Sequence, residues 1–315
     1  MAQHGAWRAV TDRATDLVLR GLIAGLRLLP YPQRVALGGA VSRRVVGPLA
    51  GYRRRALANL ALIHPGWPAA RRRAVADATL DNFGRTLIEN YSGTDLARRL
   101  AGTRPAGPGL AALEEARAAG RAVLFVTGHF GNHEAPRHVL AALGYRVGGI
   151  YRAMRNPHVN AHYVATLGAV SGEVFEQGRQ TAGFVRALRA GGMMTILFDV
   201  HDARGIPLLF LGRTALTTTS PADLARRYDA VVIPYFGIRR PDGLDFEVVL
   251  EAPVAHGPPE AMMREMTARL EARIAEHPGQ WLWVHRRWKY RAADGAADAT
   301  TDGTTDGAQG GPPAG

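Results

Sequence analysis

The chain has no cysteine. Disulfides, thiolate metal sites and a cysteine nucleophile are therefore excluded. Lysine is nearly absent too: Lys289 is the sole lysine among 39 Lys and Arg residues, so arginine carries the formal net charge of +12. No run reaches the roughly 18 uninterrupted apolar residues of a membrane-spanning helix. The N-terminus lacks the apolar core and cleavage site of a secretory signal, which makes a cytoplasmic placement the default, with membrane contact open. No G-x-S-x-G nucleophile elbow occurs. With neither that serine nor a cysteine, direct transfer between bound substrates is a simpler expectation than a covalent intermediate.

What is present is a globular composition, 47% hydrophobic and 21% charged over 315 residues, enough for one large domain or two modest ones. The positive charge is uneven. Residues 1–100 hold 16 Arg against 6 Asp and Glu. A basic first third suits an anionic partner: nucleic acid, a membrane surface or an acidic protein.

Helical spacing of Leu19, Leu22, Ile23, Leu26 and Leu29 predicts an amphipathic helix over 16–29, with Arg13, Arg20 and Arg27 on the opposite face and Pro30 as the stop. Such a helix either packs on a core or lies in a membrane interface with its arginines on anionic headgroups; Arg20, Arg27, Leu22, Ile23 and Leu26 are the candidate contacts. Further helices are predicted over 35–49 and 74–91. After a Gly/Pro-rich connector at 102–109 the pattern alternates. Strands are predicted at 122–127, 146–151, 194–198, 230–236 and 245–250. Helices are predicted at 110–119, 132–143, 157–168, 179–190, 219–229 and 259–276. This predicts an α/β fold, a mostly parallel sheet flanked by helices and preceded by an amphipathic helical region. The tail, 292–315, holds only small, polar and proline residues and is expected to be disordered.

In such sheets, ligands bind beyond the carboxyl ends of the strands. Three segments lie there. Gly128-His129-Phe130-Gly131-Asn132-His133-Glu134 places an imidazole at a strand end and a carboxylate five residues on, a candidate general base and the group that orients it. The helix expected to open at Asn132 adds N–H donors for an oxyanion. Tyr151-Arg152 offers a guanidinium for a phosphate or oxyanion. Asp199-Val200-His201-Asp202 offers a carboxylate suited to positioning. A competing reading makes His129, His133 and His138 metal ligands, although their spacing departs from H-E-x-x-H. The run Gln280 to Lys289, rich in Trp and Arg, suits nucleic-acid stacking, an interfacial belt, or plain packing of the C-terminus on the sheet.

Together these segments resemble the bacterial lipid A biosynthesis acyltransferases, the lauroyl/myristoyl transferase family of the lysophospholipid acyltransferase superfamily. The 128–134 segment is similar to the family's H-F-G-N-x-E signature. Tyr151-Arg152 with Asn156-Pro157 resembles a second block, and Phe210-Leu211-Gly212 with Thr217 to Ala222 a third. Pro278 to Lys289 is similar to the P-x-Q-[WY]-x-W-x-H-R-R-[FW]-K block, and Asn59-Leu60 with Pro65 to an N-terminal element. The resemblance spans about residues 16–291. It implies a helical membrane-associating region (1–100), an acyltransferase core (101–291) and the tail (292–315). The implied enzyme works at the cytoplasmic face of the inner membrane, peripherally or through an interfacial N-terminal anchor. It moves an acyl group from an acyl carrier protein or CoA thioester to a hydroxyl of a lipid A precursor or related glycolipid or phospholipid. His129 would be the base, Glu134 its partner, and Arg152, Asn132 and Asp199 the substrate or oxyanion contacts. No metal, further cofactor or nucleic acid is implied. A metal-dependent esterase and a non-catalytic basic module binding membrane or nucleic acid are the alternatives.

Overall fold

The computed structural model describes residues 2–289, with backbone alone for 2–9; the expected disordered tail lies outside the described residues. The first hundred residues are helical: α1 (Ala2–Arg27), α2 (Tyr31–Val41), a π-helical turn (Ser42–Val46), α3 (Gly47–Leu49), α4 (Tyr52–Ile63), α5 (Ala69–Asn90) and α6 (Gly93–Leu100). Helices α2 and α5 cross where Gly38, Gly39 and Gly84 remove side-chain bulk; a Cβ on Gly84 would strike the Gly38 carbonyl.

The remainder alternates as its apolar runs dictate: α7 (Gly109–Ala118), β1 (Val123–Thr127), α8 (Ala135–Ala142), β2 (Val147–Tyr151), α9 (Pro157–Gly168), β3 (Val174–Glu176), α10 (Thr181–Arg189), β4 (Met193–Leu197), β5 (Ile206–Phe210), β6 (Arg213–Thr217), α11 (Ser220–Tyr228), β7 (Val231–Arg239), β8 (Phe246–Leu250) and α12 (Pro259–Glu276). Six strands form the sheet in the order β3-β2-β4-β1-β7-β8. All pairs are parallel except β7–β8. Both faces are buried, which is why β1 reads as an unbroken apolar run. Leu124 and Val126 enter one core with α4, α5, α10 and α12. Val123 and Phe125 enter the other with α6, α7 and α8.

Three features depart from the sequence reading. The short edge strand β3 is not among the predicted strands. Strands β5 and β6 form a separate hairpin. Its turn, Leu211-Gly212, has positive φ at both residues, 51° and 76°. A leucine stands where such turns usually carry Asn or Gly, so no turn signal was visible. The helix expected from Asn132 begins at Ala135. Phe130 instead bridges to Trp281, and the peptide N–H groups of Gly131 and Asn132 are spent on Gln280 O and Gly237 O, each 3.0 Å away. Those amides are not free to bind an oxyanion.

Candidate active site

The register of two neighbouring strands builds the centre. Thr127 of β1 lies opposite Leu197 of β4. The ladder runs one step further through Phe198 N–H to Thr127 O at 3.1 Å. The next step sets His129 beside Asp199. Asp199 Oδ1 meets His129 Nδ1 at 2.8 Å, and Oδ2 accepts the His129 peptide N–H, also at 2.8 Å. Gly128 permits this approach: a Cβ there would come within 2.9 Å of Asp199 Oδ2 and 2.7 Å of Leu270.

The C-terminal segment is zipped onto the same loop. Leu282 N–H donates to His129 O at 3.0 Å, and the Trp281 indole N–H donates to Asp199 Oδ2 at 2.8 Å. Asn59 of α4 donates to Trp283 O and His285 O at 2.6 and 2.8 Å, fixing the turn. That turn stands the His285 ring edge-on to His129, with centroids 4.5 Å apart. Trp281 and Trp283 are fully buried, so their rings offer no faces for base stacking. Packing of the C-terminus, the plainest of the three sequence readings, is what this segment does, and it also builds the site.

Asp199 is wholly buried. Burial alone would raise its pKa; attraction to His129, its hydrogen bonds and His285 outweigh that and hold it well below the usual carboxylate range. An ionised carboxylate only accepts, so in the neutral imidazole of His129 the proton sits on Nδ1 and the lone pair on Nε2. The His129 side chain is 28% exposed, so Nε2 is the nitrogen available to a substrate.

Glu134 does not meet His129, in contrast to the expectation from the sequence. It is buried and pairs with Arg137 Nη1 at 2.5 Å on the first turn of α8. Its nearest imidazole is His133, at 3.9 Å. Burial pushes Glu134 up, but Arg137 and His133 bring it below its ordinary value. The reason is directional: β1 ends in a loop that turns Glu134 toward Arg137, which itself donates to Val147 O and Ser171 O.

The other candidates divide. Asn132 is 0% exposed, donates to Glu89 Oε2 at 2.9 Å and accepts the Glu134 peptide N–H; it is turned into the protein and presents no exposed atom to a substrate. Arg152 is exposed. Strand register puts it level with Gly128 two strands away, at the same end of the sheet as His129. Of the membrane candidates, Leu22 is 61% exposed, and Arg20 and Arg27 are exposed. Ile23 is buried at 8%, and Leu26 is half-buried. These two face inward, so the helix has two apolar faces where a single one was expected. The outer face carries Leu17, Val18 and Leu22.

Among the described residues, the donors that gather within 4.8 Å are those of His129, Asp199 and His285; His133 and His138 do not join them, contrary to the metal alternative. Sequence reading passes over His285, Asn59 and Trp281 as site residues. The available signal is the polar His285 at the end of a buried Trp-x-Trp run.

The family model for bacterial lipid A biosynthesis acyltransferases matches residues 6–290. The lipid A biosynthesis lauroyltransferase of Escherichia coli (strain K12) is 25% identical over 272 residues, covering 84% of this chain and 87% of that protein. Lipid A biosynthesis acyltransferase 2 of Shigella flexneri is 25% identical over 292 residues, covering 88% and 90%. The lipid A biosynthesis palmitoleoyltransferase of E. coli (strain K12) is 27% identical over 283 residues, covering 84% and 87%.

Burial lowers His133, His138 and His285 each to about 4. Between that value and the ordinary 6.5, the unfolded chain binds protons that the native state refuses. Stability is therefore full above about pH 6.5 and falls as pH drops toward 4. His138, 6% exposed with Nε2 unpartnered, gives the sharpest test. Replacing it by Leu is expected to flatten the stability–pH slope in that window by about one proton, or about 1.4 kcal/mol per pH unit. Urea unfolding at a series of pH values measures it; an unchanged slope would show that His138 titrates normally.

Proposed function

Since the chain belongs to the bacterial lipid A biosynthesis acyltransferase family, and is therefore an acyltransferase, we propose that it acylates a hydroxyl of a lipid A precursor, with His129 as general base and Asp199 as the group that holds it. The observation that carries this is the 2.8 Å contact between His129 Nδ1 and the buried, ionised Asp199. The donor is an acyl thioester of acyl carrier protein or CoA. As the acceptor oxygen attacks the thioester carbonyl, its proton passes to His129 Nε2. Asp199 stabilises the imidazolium and keeps the ring in the required tautomer. Collapse of the tetrahedral intermediate breaks the C–S bond, and the departing thiolate takes the proton from Nε2. The step uses no acyl-enzyme. Arg152, exposed at the same end of the sheet, suits a phosphate on a substrate or the developing oxyanion.

Membrane docking is proposed through the outer face of the helical region. Leu17, Val18, Leu22, Leu28, Val45, Val46 and Leu49 are 44–87% exposed, with Arg13, Arg20, Arg27 and Arg44 exposed nearby in sequence. No helix among the described residues is long and apolar enough to cross a membrane. Exposed apolar side chains with arginines near them in sequence fit the interface of an anionic bilayer.

Transfer of lauroyl from its carrier-protein thioester to a lipid A precursor tests the chemistry. His129→Ala is expected to lower kcat by about 10²–10⁴-fold, the usual worth of a general base. Asp199→Asn should cost a similar factor with little change in KM. Glu134→Gln should lower the melting temperature, because Arg137 loses its partner, while costing less kcat per folded molecule than Asp199→Asn. The reverse ranking would contradict the assignment. For docking, Leu22→Asp with Leu28→Asp should weaken sedimentation with phosphatidylglycerol vesicles more than tenfold, at about 1.5–3 kcal/mol per buried leucine; unchanged binding would remove this face from the account.

A further inference from the structure

Helix α5 carries Thr79, Asn82, Thr86 and Glu89 at i, i+3, i+7 and i+10, which is one face of a helix. All four are buried, between 0% and 9% exposed. Polar side chains on a buried stripe need partners, and here the partners are the backbone and side chains of the site. Thr79 donates to Trp281 O at 3.1 Å. Asn82 donates to Gly131 O at 3.0 Å and Gln280 O at 3.2 Å. Thr86 donates to Gly131 O at 3.1 Å. Glu89 accepts from Asn132 Nδ2 at 2.9 Å.

Arg239, at the end of β7, locks this stripe. It holds both oxygens of Glu89, one through Nη1 and the other through Nη2 at 2.8 Å. It also donates to Asn82 Oδ1 at 2.7 Å and to Thr86 Oγ1 at 3.1 Å. The cluster is a buried ion pair, and among the described residues none of its buried side-chain N or O atoms is left without a partner. Glycine makes the crossing possible: Gly131 has φ 54°, and a Cβ on it would run into Gly237 O.

We propose that Asn132 is a positioning residue, and that the Glu89–Arg239 pair acts through it to fix the loop bearing His129. This rests on the reading of His129 as the base. Asn132 touches no reacting atom. Its amide N–H is held by Glu89, its carbonyl oxygen receives the Glu134 peptide N–H, and its own peptide N–H is held by Gly237. The loop between β1 and α8 is thereby pinned three residues from His129. A shift of about 1 Å in such a base can cost about a hundredfold in rate. The amide is obligatory because ionised Glu89 can only accept. An aspartate in its place would set two carboxylates at hydrogen-bonding distance and drive one to take a proton or move away.

The test compares Asn132→Ala, Asn132→Asp, Glu89→Gln and the pair Glu89→Gln/Asn132→Asp. The pair keeps the charge of the cluster and reverses one hydrogen bond, the amide introduced on α5 now donating to the carboxylate introduced on the loop. Activity is measured with lauroyl carrier-protein thioester and a lipid A precursor, well below each melting temperature, on protein shown folded by circular dichroism. Asn132→Ala and Asn132→Asp are expected to lose about tenfold to a hundredfold in kcat with KM nearly unchanged. The double variant should recover at least tenfold over Asn132→Asp. Wild-type kcat in a folded Asn132→Ala, or no recovery in the double variant, overturns the proposal. His129→Ala is the control. If it stays active, the reading of the base fails; if it is inactive while Asn132→Ala is normal, only the positioning role fails.

Discussion

The hydrogen bond between His129 and Asp199 is the interaction on which the rest of the site depends, and strand register creates it. Two parallel neighbours, β1 and β4, end level, so the second residue past each end falls beside the other. No loop has to be ordered to bring the two together; the sheet ladder that holds the core also sets the distance. Burial would normally keep a carboxylate neutral. Here three N–H donors and a neighbouring imidazole reverse that preference.

Such a centre must be enclosed without being obstructed. One flank is closed by the C-terminal segment, whose backbone pairs with the 129–131 loop while Trp281 reaches Asp199. Another is closed by α5, whose polar stripe meets the loop from outside the sheet. Gly128, Gly131 and Gly237 stand where backbone or carboxylate comes closer than a Cβ allows. Segments far apart in the chain thus converge on the 128–134 loop, and the exposed edge of His129 is what remains open.

Much of this is legible from sequence, and the failures have physical reasons. Unbroken apolar runs locate the strands flanking His129, and the period-3.6 pattern the helices between them, because a sheet buried on both faces imposes such runs. The motif at 128–134 locates the base candidate. Its partner is misassigned to Glu134 because nearness in sequence is visible and strand order is not. Asp199 is legible as a strand-end residue, but nothing in the sequence says that β4 lies next to β1. Asn132 reads as a donor to substrate because its buried acceptor, Glu89, comes from a helix 43 residues earlier. Ile23 and Leu22 are adjacent in a helix apolar on two sides, so periodicity alone does not separate the face that packs from the face that is exposed.

The central claim is that Asp199, and not Glu134, holds the proton on His129 Nδ1. Nitrogen-15 NMR of the imidazoles near pH 8 tests it most directly. The account requires a His129 signal with Nδ1 protonated, Nε2 bare and a downfield Nδ1 proton. That signal should persist in Glu134→Gln and be lost in Asp199→Asn. A resting His129 protonated at Nε2, or a signal lost in Glu134→Gln and kept in Asp199→Asn, would contradict it.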